Sequence, residues 1–313
     1  MKGKPITLKD LESEYIEYLE SLNYSCFTVR VIYYNVLAFL NWLEQHSNII
    51  TPCELRKNHL FAWQKHLAGR RTEKGLPLKS RSINKKIENV IGLLKYLAVK
   101  GYIMNSLCDV VKYVKEPKML PLGVLTNRQM KKIFSSIDTS NAEGLRDRTI
   151  LELMYTSGLR AGEVVGLTVE SIDFEHGTAR VLGKGSKERI VPVGKTALRY
   201  LETYIKAVRS FMLKKGQKRN LFIDHDGGGL SYHVLLRIVH TCTEKAKIKD
   251  RVTPHTFRRS CTTELVREGA NLYHVKEMLG HESLQTLKHY TKLTINDLRK
   301  THAKCHPRER ISS

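Results

Sequence analysis

The last third of the chain carries four side chains whose types and spacing suit work on a phosphate. They are His255 and Arg258 in His255-Thr-Phe-Arg258, His281 in Leu279-Gly280-His281, and Tyr290 in Lys288-His289-Tyr290-Thr291. His255 and Arg258 stand at i and i+3, so on a helix they share a face and can converge on one ligand. Two groups from upstream complete the set: Arg160, just past the helix-breaking Gly158, and Lys184, at the tip of an expected hairpin in Gly183-Lys184-Gly185-Ser186. A guanidinium can grip a phosphate through two parallel hydrogen bonds, which an ammonium cannot. Two of them on the non-bridging oxygens would stabilise charge that grows in a transition state, while a lysine can protonate a leaving oxygen. Tyrosine, with a free pKa of ~10, is a weak nucleophile at neutral pH until a neighbouring base and positive charge favour the phenolate. The set holds no Asp/Glu cluster suited to two Mg²⁺ ions, so metal-dependent nuclease chemistry is disfavoured and no cofactor is implied. His302-x-x-Cys305-His306 has metal-ligand spacing but no second ligand pair, and no metal is assigned to it.

The elements that must position these groups are legible in the apolar periodicity. Thr7-Leu-Lys-Asp10 has the form of a capping box, followed by Leu8, Leu11, Tyr15, Leu19 and Leu22 at helical spacing. Val29, Ile32, Val36, Phe39, Leu40 and Leu43 predict a second helix, Thr51-Pro52-Cys-Glu54 a helix start, and Ile83, Ile87, Val90, Leu94 and Leu97 a helix from about Ser80. These make a small all-α domain over residues 1–104. Residues 105–125, with Pro117, Pro121, Gly123 and no periodicity, read as a linker. In the second half, 126–313, Thr126-Asn-Arg-Gln129 opens a helix and residues 144–157 read as a buried one ending at Gly158. Ile172–Phe174, Thr178–Leu182 and Arg189–Val193 read as a small antiparallel sheet with Lys184 at a hairpin tip. Helices are expected at 195–213, 231–247, 256–268 and 271–279, with a last one near 294–304.

Composition narrows the partner. The chain of 313 residues has 53 Lys and Arg against 31 Asp and Glu, a formal net charge of +22. Such a chain suits a polyanion, above all nucleic acid, through phosphate neutralisation and counterion release. Residues 1–120 hold 19 Lys and Arg against 11 Asp and Glu, a net of +8, leaving 22 − 8 = +14 for the remainder, so both halves are basic. Residues 57–100 carry 11 Lys and Arg against only Glu73 and Glu88, whereas the first helix is acidic. Lys79, Arg81, Asn84 and Lys85, largely off the apolar face of the helix from Ser80, are therefore candidate DNA contacts. No apolar run approaches the ~20 residues of a membrane span, and Met1-Lys2-Gly3-Lys4-Pro5 lacks the apolar core of a signal peptide, so the expected location is the cytoplasm, on the nucleoid. Six scattered cysteines without a Cys-x-x-Cys pair point to reduced thiols.

Arg160 in Ser-Gly-Leu-Arg-Ala-Gly-Glu, Lys184 in Gly-Lys-Gly-Ser-Lys-Glu-Arg, the His255-x-x-Arg258 motif, Leu-Gly-His281, and Tyr290 nine residues on (290 − 281 = 9) occur in one order and at intervals that resemble the tyrosine recombinases, the phage integrase family, and its Xer-like members in particular. The resemblance covers nearly the whole chain. It implies a mainly α protein, with a helical core-binding (SAM-like) domain in front and an α+β catalytic domain with a small antiparallel sheet behind. It also implies a site-specific recombinase: Tyr290 as nucleophile forming a 3′-phosphotyrosine, Arg160 and Arg258 on the phosphate, Lys184 as general acid, His255 as general base or acid, and His281 as a phosphate hydrogen-bond donor. The implied partners are double-stranded DNA with inverted-repeat sites and a homo-tetramer on synapsed DNA, with or without a partner recombinase. Arg259 stands where many relatives carry His, and adds a further DNA-contact candidate. The alternatives that share these features are a type IB topoisomerase or telomere resolvase, and a DNA-binding accessory protein without catalysis.

Overall fold

The structure is a computed structural model that describes residues 6–117, 123–183, 187–213 and 219–280. The chain divides into two compact units, residues 1–119 and 120–313.

The front unit is helical: α1 (Leu8–Ser21), α2 (Cys26–Ser47), α3 (Lys57–Gly69) and α4 (Ser80–Val99). The expected capping box starts α1, with Thr7 N donating to Asp10 Oδ2 at 2.9 Å and Asp10 N to Thr7 Oγ1 at 3.2 Å. The apolar positions that predict α2 and α4 all bury, and Phe39 meets Trp63 of α3 edge-on at 4.8 Å between ring centroids. At Thr51-Pro52 only one 3₁₀ turn forms, Pro52–Glu54, and α3 begins afresh at Lys57. The unit ends at 119 rather than near 104 because Leu107, Cys108, Val110 and Val111 return to the same core. One expectation needs correcting. α2, at 22 residues and mean hydropathy 1.3, is long and apolar enough to cross a membrane by length and composition. Its apolar face, Val29 through Leu43, instead closes the core of this helical unit.

The second unit is built around α6 (Ala142–Ser157), preceded by α5 (Asn127–Ser135) and followed by α7 (Ala161–Gly166). Ile150, Leu151, Leu153 and Met154 are all fully buried, so α6 is covered nearly all round. The sheet has the order β1 (Ile172–Asp173), β2 (Thr178–Leu182), β3 (Glu188–Pro192), antiparallel throughout. Its register pairs Ala179 with Val191 and Val181 with Arg189. Since side chains alternate along a strand, Arg189 shares the inward face with the fully buried Val191. α8 (Lys195–Tyr204) passes through a π turn at Ile205–Arg209 into the short α9 (Ser210–Met212). α10 (Tyr232–Lys245), α11 (Pro254–Arg267) and α12 (Leu272–Leu279) complete the described unit, and α11 packs against α6. Lys184, His281, Tyr290 and the helix expected near 294–304 lie outside the described residues.

Candidate active site

Gly158 ends α6 in the left-handed conformation, at φ 60°. A side chain is strained there, and a Cβ would stand 2.8 Å from Leu279 Cδ2, so glycine is favoured. That turn delivers Arg160 as the N-cap of α7. Pro254 occupies the first turn of α11, where its missing N–H costs nothing. It sets His255 on the first turn and Arg258 one turn later, buried beneath it at 2% exposure.

The site's organising element is the C-terminal end of α12. Arg189 Nε donates to the carbonyl of Met278 at 2.9 Å, Arg258 Nη2 to that of Leu279 at 2.5 Å, and Arg160 Nη2 to that of Gly280 at 2.7 Å. Three successive carbonyls at a helix end, which have no partner inside the helix, are thus each taken by a different guanidinium. The negative end of the helix dipole favours the same arrangement. Arg258 Nη1 also donates to the carbonyl of Gly158 at 2.7 Å, tying the α6 end to the α12 end. Gly280, left-handed at φ 61°, terminates α12 and hands the chain on to His281.

A carboxylate completes the frame. Glu163, on α7 with its side chain 3% exposed, accepts Arg160 Nη1 at 2.8 Å and Arg189 Nη1 at 2.6 Å on Oε1. Its Oε2 accepts Arg189 Nη2 at 2.9 Å and the Arg160 backbone N–H at 2.7 Å. Burial alone would raise its pKa. The hydrogen bonds and charge of Arg189 and Arg160 outweigh that and hold it below the usual carboxylate value, so it is ionised. The Arg160 side chain remains 36% exposed, in contrast to Arg258.

His255 is solvent-exposed, yet enough protein surrounds its ring that desolvation lowers its pKa, and the charges of Arg258, Arg259 and Arg160 lower it further. It is therefore neutral at pH 7 and able to accept a proton. Cys261, whose thiol lies 3.8 Å from the carbonyl of Thr156, is pushed up to about 12 by burial and stays a thiol. The five cysteines among the described residues are free.

Of the six expected catalytic residues, the described residues bring Arg160, His255 and Arg258 into one neighbourhood. The hairpin that carries Lys184 is closed at its base by Gly183 N donating to the carbonyl of Lys187 at 2.8 Å. Arg259 is half-buried beside Arg258 on α11. Glu163 and Arg189 were not among the expected site residues. The signal for Arg189 was the strand parity that turns it inward with Val191. Among the DNA-contact candidates, Lys79 and Arg81 are exposed. Asn84 is committed elsewhere: its Nδ2 donates to the carbonyl of Val114 at 2.9 Å and its Oδ1 accepts Val114 N at 2.7 Å. Lys85 pairs with Glu88 at 3.0 Å. No group of His, Cys, Asp and Glu that could hold a metal occurs among the described residues.

A helical unit followed by an α+β unit of this kind also occurs in solved integrases. The Tn1549 transposon integrase, solved in complex with transposon right end DNA, superimposes with TM-score 0.71 at 20% identity over 96% of this chain and 99% of that one. A lambda integrase dimer bound to a core site gives 0.68 at 16% identity, covering 91% and 95% of the two chains. Sequence then fixes the family. Residues 123–297 match the phage integrase family, and the chain is 31% identical over 304 residues to tyrosine recombinase XerD of Listeria innocua serovar 6a, covering 96% of this chain and 100% of that one. XerD of Staphylococcus epidermidis is 36% identical over 229 residues, 73% of this chain and 77% of that one. This chain belongs to the phage integrase family of tyrosine recombinases.

Proposed function

We propose that this protein is a site-specific DNA recombinase whose strand cleavage runs through a 3′-phosphotyrosine at Tyr290. The observation that carries the reading is the pair of arginines, Arg160 and Arg258, held on the consecutive carbonyls of Gly280 and Leu279 directly ahead of His281. In the cleavage step the Tyr290 hydroxyl oxygen bonds to the scissile phosphorus and the bond from phosphorus to the 5′-oxygen breaks. The phenol proton passes to neutral His255, and Lys184 supplies a proton to the leaving 5′-oxygen. Arg160 and Arg258 stabilise the charge that grows on the non-bridging oxygens, with His281 donating to the same phosphate. One phosphodiester is exchanged for another, so attack by the 5′-hydroxyl of a partner strand reverses the step without ATP or a metal. Two such exchanges pass through a Holliday junction.

DNA is the substrate and partner. The protein acts as a homo-tetramer on two synapsed inverted-repeat sites, in the cytoplasm on the nucleoid, with Lys79, Arg81 and Arg259 contacting the DNA backbone. The test is a nicked suicide substrate that lets the cut strand's short 5′ end diffuse away. Wild type should accumulate a covalent protein–DNA adduct in EDTA, and Tyr290→Phe should bind the same DNA without forming one. An adduct that persists in Tyr290→Phe defeats the assignment. Relaxation of plasmids without exchange between sites would assign the same chemistry to a topoisomerase.

A further inference from the structure

Arg189 makes no use of its charge in the step just described, although it takes the first of the three helix-end carbonyls and both oxygens of Glu163. Glu163 has room for four donors, and all four places are filled: two by Arg189, one by the Arg160 backbone, and one by a single arm of the Arg160 guanidinium. The division is uneven. Arg189 grips the carboxylate with a two-pronged fork and its side chain is 14% exposed, whereas Arg160 touches it with one nitrogen and stays open to solvent. A carboxylate and a guanidinium left alone favour the fork-to-fork pair, which would turn the Arg160 nitrogens onto Glu163 and cancel its charge.

We propose that Arg189 is a positioning residue that occupies Glu163, so that the Arg160 guanidinium stays available to the scissile phosphate. The inference rests on the recombinase reading above. Two neighbouring positions show how tightly the device is built. A Cβ on Gly280 would stand 3.1 Å from Arg189 Cδ, so the left-handed turn ahead of His281 is moulded on this side chain. A Cβ on Gly183 would stand 3.5 Å from Arg189 Nη1 and 4.0 Å from Glu163 Oε1, so the base of the Lys184 hairpin abuts the same pair. Arg189 thereby joins the strand that carries the lysine hairpin, the helix that Arg160 caps, and the helix end that leads to His281.

Without Arg189, Glu163 would retain Arg160 as its one guanidinium and draw it away from the phosphate. Arg189→Gln should slow single-turnover cleavage of a suicide substrate on the order of 10- to 100-fold, by analogy with the loss of a residue that supports a metal ligand, with DNA affinity nearly unchanged. Arg189→Lys should recover only part of the rate, because an ammonium cannot fork. Two readouts separate this role from a loss of fold. In a Glu163→Gln background no carboxylate remains to capture Arg160, so adding Arg189→Gln should cost less than about threefold. On a substrate with a methylphosphonate at the scissile position there is no phosphate charge for Arg160 to neutralise, and the Arg189→Gln defect should shrink to a similar level. An equal defect on the charged and neutral substrates, additive losses in the double variant, or wild-type rates in Arg189→Gln would each overturn the inference. Absence of a Tyr290-dependent adduct with wild type would instead overturn the recombinase reading.

Discussion

Replacing Gly158 with alanine tests whether the two helix ends at the site are one mechanical unit. The residue sits at φ 60°, where a side chain costs about 1–2 kcal/mol. The new Cβ would meet Leu279 Cδ2 at 2.8 Å and Cys261 Sγ at 3.4 Å, both in packed surroundings, and overpacking of this kind adds roughly 1–3 kcal/mol. The sum is about 2–5 kcal/mol of lost stability, borne by the unit that begins at Leu120 and read from its own transition in urea. Function should fall further than stability alone explains. The Gly158 carbonyl holds Arg258 Nη1 at 2.7 Å, and the clash presses on the fully buried side chain of Leu279, whose carbonyl holds Nη2 at 2.5 Å. A displacement approaching 1 Å at a reacting group costs ~10²-fold, so suicide-substrate cleavage should drop about 10- to 100-fold under conditions where the variant is still folded. Gly162→Ala is the control, because nothing lies within 4 Å of its Cβ and it stands inside α7, where alanine is worth up to about 1 kcal/mol over glycine. A Gly158→Ala protein with unchanged stability and cleavage would refute the argument that α6 and α12 are locked through this contact.

Other expectations follow from the same geometry. Arg258→Lys keeps the charge but cannot reach both the Gly158 and Leu279 carbonyls, so single-turnover cleavage should fall about 10²- to 10³-fold while a filter-binding assay finds DNA still bound. Because the folded His255 pKa lies below its usual value, its basic form persists as pH falls; the acid limb of the cleavage profile should lie below pH 6.5 and disappear in His255→Gln. Between the lowered folded pKa and the unfolded one, the unfolded chain binds more protons, so His255 contributes a stability that rises with pH and levels off above about 6.5. Asn84→Ala should destabilise the front unit by about 1–3 kcal/mol in a denaturant titration, through the lost bonds to Val114, without changing the salt dependence of DNA binding. Lys79→Ala or Arg81→Ala should instead lower the slope of log affinity against log salt by ~0.9 each at little cost in stability.

What could be read from the sequence follows how local each signal is. The capping boxes at Thr7 and Thr126, the apolar stripes of α2 and α4, and the helix stop at Gly158 are encoded within a few residues, and they reappear in the fold. Arg160, His255 and Arg258 were legible because each lies in a short motif at an element boundary. Arg189 was harder, because its partners Glu163 and Met278 lie 26 and 89 residues away, and only the strand alternation hinted that an arginine faced inward. Glu163 is equally ambiguous in sequence, where a first-turn glutamate reads as an ordinary helix-start acid. Asn84 misled for the same reason in reverse: off the apolar stripe it looked solvent-facing, but the chain returns 30 residues later to bury its amide against Val114. The π turn at Ile205–Arg209 interrupts a segment that periodicity reads as one continuous helix.

In the proposed reaction Tyr290 becomes covalently joined to DNA. The direct measurement is mass spectrometry of the trypsin- and nuclease-digested adduct from a suicide substrate. The expected product is a nucleotide 3′-phosphate carried on the short peptide His289-Tyr290-Thr291-Lys292, formed in EDTA. A nucleotide found on another tyrosine, such as Tyr273, or joined through its 5′-phosphate, would contradict it.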